Sequence, residues 1–85
     1  MQQDIKGWNA LMFACSDHPV IVETIISNKK CTTKVLMQQD NNGWNALMIA
    51  CRYHPEIVET IISNDKCTTE VLMQQNYQKL IKCNF

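Results

Sequence analysis

The chain repeats itself after 36 residues, and this limits its fold more than any other feature. Residues 1–36 align with residues 37–72 without a gap, and 28 of the 36 positions are identical. A third copy begins at Met73-Gln-Gln and then loses the pattern. A period of about 20–50 residues is typical of arrays in which each unit buries its apolar side against its neighbours. We therefore predict one repeat domain of 85 residues, with a partial third repeat or cap at 73–85.

Each repeat is predicted to contain three helices. In the second repeat, Asn45 is a good N-cap for a first helix over about 46–52. Pro55 suits the first position of a second helix, whose apolar residues recur at helical spacing. Thr68 then opens a short third helix, and the first repeat has the same residue at each of these positions. Because no segment alternates between apolar and polar residues for long, no strand is predicted.

Composition and charge argue against two classes of partner. The formal net charge is zero, and Lys and Arg do not cluster as they do in proteins that neutralise nucleic-acid phosphates. The apolar stretches are too short to span a bilayer. The first residues, MQQDIKGW, lack the basic start and apolar run of a signal peptide. We expect a cytoplasmic protein, unless a non-classical export system moves it, with no nucleic-acid or membrane partner.

The residues of each unit resemble an ankyrin repeat. That family has Asp-x-x-Gly-x-Thr-Pro-Leu-His-x-Ala-Ala, then Gly-His, then Ile-Val-x-x-Leu-Leu. Both copies here have Asp-x-x-Gly-Trp-Asn-Ala-Leu-Met-x-Ala-Cys, then His-Pro, then Ile-Val-Glu-Thr-Ile-Ile. The match covers residues 4–26 and 40–62, with Asn45, Ala46 and Met48 at the family's Thr, Pro and His.

Two departures from the family pattern explain the longer period. The loop between the first two helices lacks the family's Gly and is shorter by about one residue. The following connection is longer by about four, and holds CTTEVLMQQ where the family has a β-hairpin. Together they lengthen the family's period of about 33 residues. We expect an all-α, ankyrin-like helical repeat solenoid of two full repeats and a degenerate C-terminal capping segment, with a short helix replacing part or all of the hairpin.

The resemblance implies a module that binds a partner protein and has no catalytic activity. A second hypothesis is a truncated or decayed fragment of a longer array, without activity of its own. Long repeats of this kind are similar to those of ankyrin proteins in intracellular bacteria and large viruses. Such proteins often act inside a host cell, which would place this chain in the host cytosol.

The candidate binding residues are mostly positions that differ between the two copies. By resemblance, the turn tip and the end of the first helix are where ankyrin repeats usually contact partners, although neutral drift on an exposed surface would give the same differences. Trp8 and Trp44 have two interpretations: a hydrophobic staple on the first helix, or an anchor for a partner. The candidates are Ile5, Lys6, Trp8, Ser16, Asp17, Asn41, Asn42, Trp44, Arg52 and Tyr53.

The repeated Cys-x-x-His suggests a zinc or catalytic site only superficially. Equivalent positions in stacked repeats lie about 8–10 Å apart, which is too far for thiolates that share one zinc ion. Cys15 and Cys51 instead stand where the family has a small buried Ala. His18 and His54 are placed to hydrogen-bond backbone at the corner between helices. We expect no metal, no cofactor and no enzymatic activity.

The ends of so short an array predict self-association. The first repeat carries the same Leu11, Ile25 and Ile26 as the second, so it has no polar cap. The C-terminal segment, with its apolar residues Tyr77, Leu80, Ile81 and Phe85, is predicted to fold over the second repeat and leave the front end bare. Residues 1–36 carry four basic and three acidic side chains, whereas residues 37–72 carry two and five. We expect marginal stability and end-to-end association.

Overall fold

The computed structural model describes residues 7–76, which form two three-helix repeats lying side by side. The described residues contain no strand, and none of positions 28–43 belongs to a β-hairpin, so the all-α prediction is confirmed. The helices are α1 (Ala10–Asp17), α2 (Val22–Ser27) and α3 (Thr33–Met37) in the first repeat, and α4 (Ala46–Tyr53), α5 (Val58–Ile62) and α6 (Thr69–Met73) in the second.

A buried asparagine begins the first helix of each repeat and ties it to the third. The Asn9 side-chain oxygen accepts the Met12 amide at 3.0 Å, as predicted for an N-cap. The Asn9 amide group donates to the Val35 carbonyl at 3.2 Å and to Gln38 Oε1 at 3.0 Å. Asn45 makes the equivalent three bonds in the second repeat. One side chain therefore fixes the position of α1 relative to α3, and another that of α4 relative to α6.

The second helix of each repeat opens differently from the prediction. Pro19–Ile21 and Pro55–Ile57 form single 3₁₀ turns, and the α-helical residues begin at Val22 and Val58. The His54 carbonyl accepts the Ile57 amide at 3.0 Å, a bond between residues three apart. Proline remains favourable at the start of this turn because it has no N–H to satisfy.

The two repeats share one apolar core. Helix α4 packs on α1, α5 on α2 and α6 on α3. Each repeat thus covers the other along its whole height, as expected for a solenoid. The largest fully buried apolar side chains come from both repeats: Leu11, Met12, Val22, Ile26, Leu36, Ile49, Ile61 and Val71.

Polar contacts across the junction between the repeats mostly end on backbone oxygens. Lys66 Nζ donates to the carbonyls of Ile26 and Asn28, both at 2.7 Å, and so satisfies the carboxyl end of α2. His54 Nε2 lies 3.0 Å from the Ser16 carbonyl, which confirms the expected contact of this ring with backbone. Thr33 Oγ1 donates to the Lys66 carbonyl at 3.0 Å. These contacts set the register of one repeat on the other.

Two predictions fall on residues at the C-terminal end of the array. Cys51 was expected in the core but is exposed, whereas Cys15 is buried. The side of α4 that carries Cys51 has no following repeat against it in residues 7–76, which accounts for the difference. The proposed cap and its residues at 77–85 lie outside the described part of the chain, so that prediction stands as made.

Replacing Asn9 by Ala should destabilise the protein by about 2 kcal/mol or more, because the Met12 amide would be left buried without an acceptor. Asn9→Asp keeps that acceptor but loses the amide donor, and should be intermediate. Urea denaturation followed by circular dichroism measures both. The control is Asn42→Ala at an exposed position, with an expected change within about 0.5 kcal/mol. Equal effects of Asn9→Ala and Asn42→Ala would contradict the capping role.

Candidate partner-binding surface

The buried side chain of Asp40 holds the turn before α4 by accepting hydrogen bonds from its backbone amides. Asp40 Oδ1 accepts the amides of Asn42 at 2.8 Å and Trp44 at 2.9 Å, and Asp40 Oδ2 accepts Trp8 Nε1 at 2.9 Å. Gly43 has φ of 85°, a left-handed conformation that glycine adopts without strain. The side chains of Asn41 and Asn42 are left on the exposed tip. The tip is therefore rigidly held by the same residue that contacts the first repeat.

Three candidate residues meet at the end of α4. The Arg52 guanidinium carbon lies 6.0 Å from the centroid of the Trp44 ring and 5.6 Å from that of Tyr53. Such distances allow a cation–π interaction with either ring. Arg52 and Tyr53 are exposed, and Trp44 is half-buried. We call Trp44, Arg52 and Tyr53 the aromatic–arginine cluster.

A groove of about 630 Å³ adjoins the cluster at the C-terminal end of the array. Met48 and Arg52 are four residues apart on α4, so they lie on one face of the helix. With Trp44, which precedes the N-cap Asn45, they form one wall of the groove. The residues after α6 form the other wall. The full lining is Trp44, Met48, Cys51, Arg52, Gln74, Gln75 and Asn76.

The equivalent positions of the first repeat form no such cluster. Ser16 Oγ donates to Asp17 Oδ1 at 2.9 Å, so the pair that replaces Arg52 and Tyr53 is small and acidic. Trp8 packs edge-on against Phe13 with ring centroids 5.1 Å apart, which confirms the staple interpretation for this tryptophan. Ile5 and Lys6, the two candidates at the first turn tip, lie outside the described residues.

Comparison with models of known protein families identifies the family of these repeats. The model described as ankyrin repeats (three copies) matches residues 1–74. The chain belongs to the ankyrin-repeat family. Ankyrin repeats are generally protein–protein interaction modules. Searches of the curated proteins and of the solved structures found no significant match to this chain.

Sequence reasoning missed that Met48 and Cys51 line the groove in this ankyrin-repeat chain. Cys51 was predicted to be buried because the family has a small buried Ala at this position and at Cys15, and of the two only Cys15 is buried. Met48 and Cys51 are more exposed than Met12 and Cys15 because no further repeat packs on this side of the second repeat within residues 7–76. The breakdown of the pattern after Met73 was the signal that could have identified them.

The thiols and imidazoles of residues 7–76 show no arrangement suited to a metal. Within residues 7–76 no three His, Cys, Asp or Glu side chains come together as a metal site would require. Burial, with a smaller contribution from Cys31, raises the pKa of the Cys15 thiol to about 12. Cys15 is thus a poor nucleophile, because the reactive form is the thiolate. Among the described helices, none is long and apolar enough to cross a membrane.

The two ring nitrogens of His54 contact different repeats, Nδ1 its own and Nε2 the first. Nδ1 lies 3.0 Å from Glu56 Oε2, and Nε2 lies 3.0 Å from the Ser16 carbonyl. The hydrogen bond from its own backbone amide, and then that from His54, lower the pKa of the Glu56 carboxyl. Both partners of His54 accept hydrogen bonds, so the doubly protonated ring donates to both and the neutral ring to one.

Exposure of Cys51 can be measured by thiol labelling of the native chain at low protein concentration. Among the four cysteines of residues 7–76, Cys51 should react fastest, the half-buried Cys67 more slowly, and the buried Cys15 and Cys31 slowest. Burial raises the pKa of the Cys67, Cys15 and Cys31 thiols, and this slows their reaction further. Peptide mapping by mass spectrometry separates the sites. Labelling in denaturant, where all should react alike, is the control. Native labelling of Cys15 as fast as Cys51 would contradict the placement of the two repeats.

Proposed function

We propose that the chain binds a partner protein through the turn tip of the second repeat and the aromatic–arginine cluster at the end of α4. The observation that carries this proposal is the close approach of an exposed Arg52 to both Trp44 and Tyr53. Arg, Trp and Tyr are the residues most enriched among those that dominate binding energy. Here they are packed on a rigid helix end, so little conformational entropy is lost when a partner contacts them.

The chemistry of the cluster favours a partner surface with an acidic or carbonyl-rich centre. The guanidinium is a planar donor suited to carboxylates and backbone oxygens, and it lies over two aromatic rings. The neighbouring turn tip offers Asn41 and Asn42, whose amides can both donate and accept. This combination supports recognition of a protein more than catalysis, and we propose a non-enzymatic role.

The first repeat would contribute a different part of the same surface. Ser16 and Asp17 lie at the positions of Arg52 and Tyr53, and Asp17 is exposed. Its carboxylate would face a basic group of the partner, about one repeat spacing of 8–10 Å from the guanidinium. Opposite charges at two adjacent repeats would fix the orientation of the partner along the array.

The two repeats offer a matched test of this proposal. Replacing Arg52 by Ala or Tyr53 by Ala should each weaken binding by roughly 1–2 kcal/mol, because each removes a large contact from the centre of the surface. The partner is first captured from lysate on the immobilised chain, and affinities are then measured by isothermal titration calorimetry. Melting temperatures should change little, since both side chains are exposed.

The double variant Arg52→Ser with Tyr53→Asp serves as the sharpest comparison. It gives the second repeat the residues that the first repeat has at these positions, Ser16 and Asp17. These side chains are therefore already compatible with the end of a first helix in this repeat. Thr60→Ala, at an exposed position outside the surface, is the control that should bind like the wild type. Full affinity in the double variant would show that the partner binds elsewhere.

A further inference from the structure

The two ends of the described array are complementary to each other. Phe13 at the front is 39% exposed, whereas Ile49 at the same position of the second repeat is 1% exposed because the first repeat covers it. At the back, Ile62 is 45% and Leu72 52% exposed, whereas their equivalents Ile26 and Leu36 are buried. Phe13, Ile62 and Leu72 are therefore left in solvent at the ends of the array, at positions whose equivalents are buried.

We infer that the partner fitting these ends is a second copy of this chain, stacked front to back as the second repeat stacks on the first. We call Phe13, Ile25 and Val35 the front face, and Met48, Cys51, Ile62 and Leu72 the back face. The internal junction already shows the packing that the two faces would adopt. The pairs of helix positions that meet at the internal junction would also meet between two copies.

The polar contacts of the junction would be reproduced at this interface. Every side chain that reaches across the internal junction has the same residue type 36 positions away. Lys30 stands at the position of Lys66 and is exposed. In the stacked copy it would donate to the carbonyls of Ile62 and Asn64, as Lys66 does to those of Ile26 and Asn28.

The charges of the substituted positions also favour this order of stacking. Lys29 and Lys34 of the first repeat are replaced by Asp65 and Glu70 in the second. Equivalent positions of adjacent repeats lie about 8–10 Å apart. In a front-to-back stack each basic pair is followed by an acidic pair, and then by the basic pair of the next copy. All four side chains are exposed, so solvent screens their attraction. The charges therefore add little to the free energy of association and mainly favour the front-to-back orientation.

The front-to-back arrangement has a consequence for the size of the assembly. Two different faces meet, so each added copy leaves one front and one back face uncovered. Such heterologous contacts continue as open arrays unless the rotation closes a ring. The chain should therefore form a concentration-dependent series of species and should not stop at a dimer. A front-to-front or back-to-back dimer would stop at two copies.

Sedimentation velocity of the full chain over a wide concentration series tests this inference. Phe13→Glu blocks the front face, and Ile62→Glu blocks the back face, each by placing a charge where the junction is apolar. Each variant alone should associate about tenfold or more weakly than the wild type. An equimolar mixture should form dimers and nothing larger, because one intact back face meets one intact front face.

Matched controls use positions that tolerate charge. Val20→Glu introduces the residue that the second repeat already has at position 56, so it should associate like the wild type. Thr60→Glu lies on the outer surface of α5, where the equivalent Thr24 is also exposed, and should be equally silent. Circular dichroism checks that each variant folds. Should Phe13→Glu fail to fold, Lys30→Glu blocks the front face at an exposed position, and Leu72→Glu replaces Ile62→Glu likewise.

Labelling of Cys51 distinguishes a second copy from the chain's own residues 77–85 as the occupant of the back face. With a second copy, Cys51 reacts freely at low protein concentration and becomes protected as the concentration rises. Protection of Cys51 already in the monomer would assign the back face to residues 77–85 and overturn the inference. A wild-type chain that stays monomeric throughout the series, or a mixture of blocked variants without dimers, would overturn it as well.

Discussion

The apolar side of each repeat is covered only by another repeat, and the architecture depends on this one constraint. Within a repeat, α1 and α2 are too short to be stable alone, since isolated helices below about 12 residues are marginal in water. What holds them is the shared core, in which Ile26 and Leu36 of one repeat are buried together with Ile49 and Ile61 of the other. Hydrogen bonds such as those of the Asn9 side chain then fix how α1 is aligned with α3 within that core.

Most of this fold could be predicted from the sequence, because its signals are local and occur twice. An asparagine before an apolar helix and a proline at the start of a helical segment each have a direct physical reason, and each lies where it was predicted. The 3₁₀ turn at Pro55 escaped prediction because it differs from a first α-helical turn by a single hydrogen bond. The long-range bonds of Asn9 and Lys66 escaped because spacing along the chain does not show which carbonyls lie nearby.

The candidate surface was predicted less completely for a different reason. Exposure of a repeat position depends on whether another repeat follows it, and that is not a property of the residue. Cys15 and Cys51 have the same immediate apolar neighbours in sequence, yet one is buried and the other lines a groove. Residues that differ between the copies, such as Arg52 and Tyr53, could be singled out, whereas identical residues with different surroundings could not.

Binding of a partner and stacking of copies use neighbouring surfaces without excluding each other. Trp8 and Ser16 stay partly exposed even though the second repeat packs against the first. Their equivalents, Trp44 and Arg52, should therefore remain accessible when another copy covers Met48 and Cys51. A front-to-back stack would then present the aromatic–arginine cluster once in every two repeats, roughly 20 Å apart. A partner with several matching sites would gain affinity from this spacing without any new contact. Stacking would thus act on binding through geometry, since it leaves the chemistry of each site unchanged.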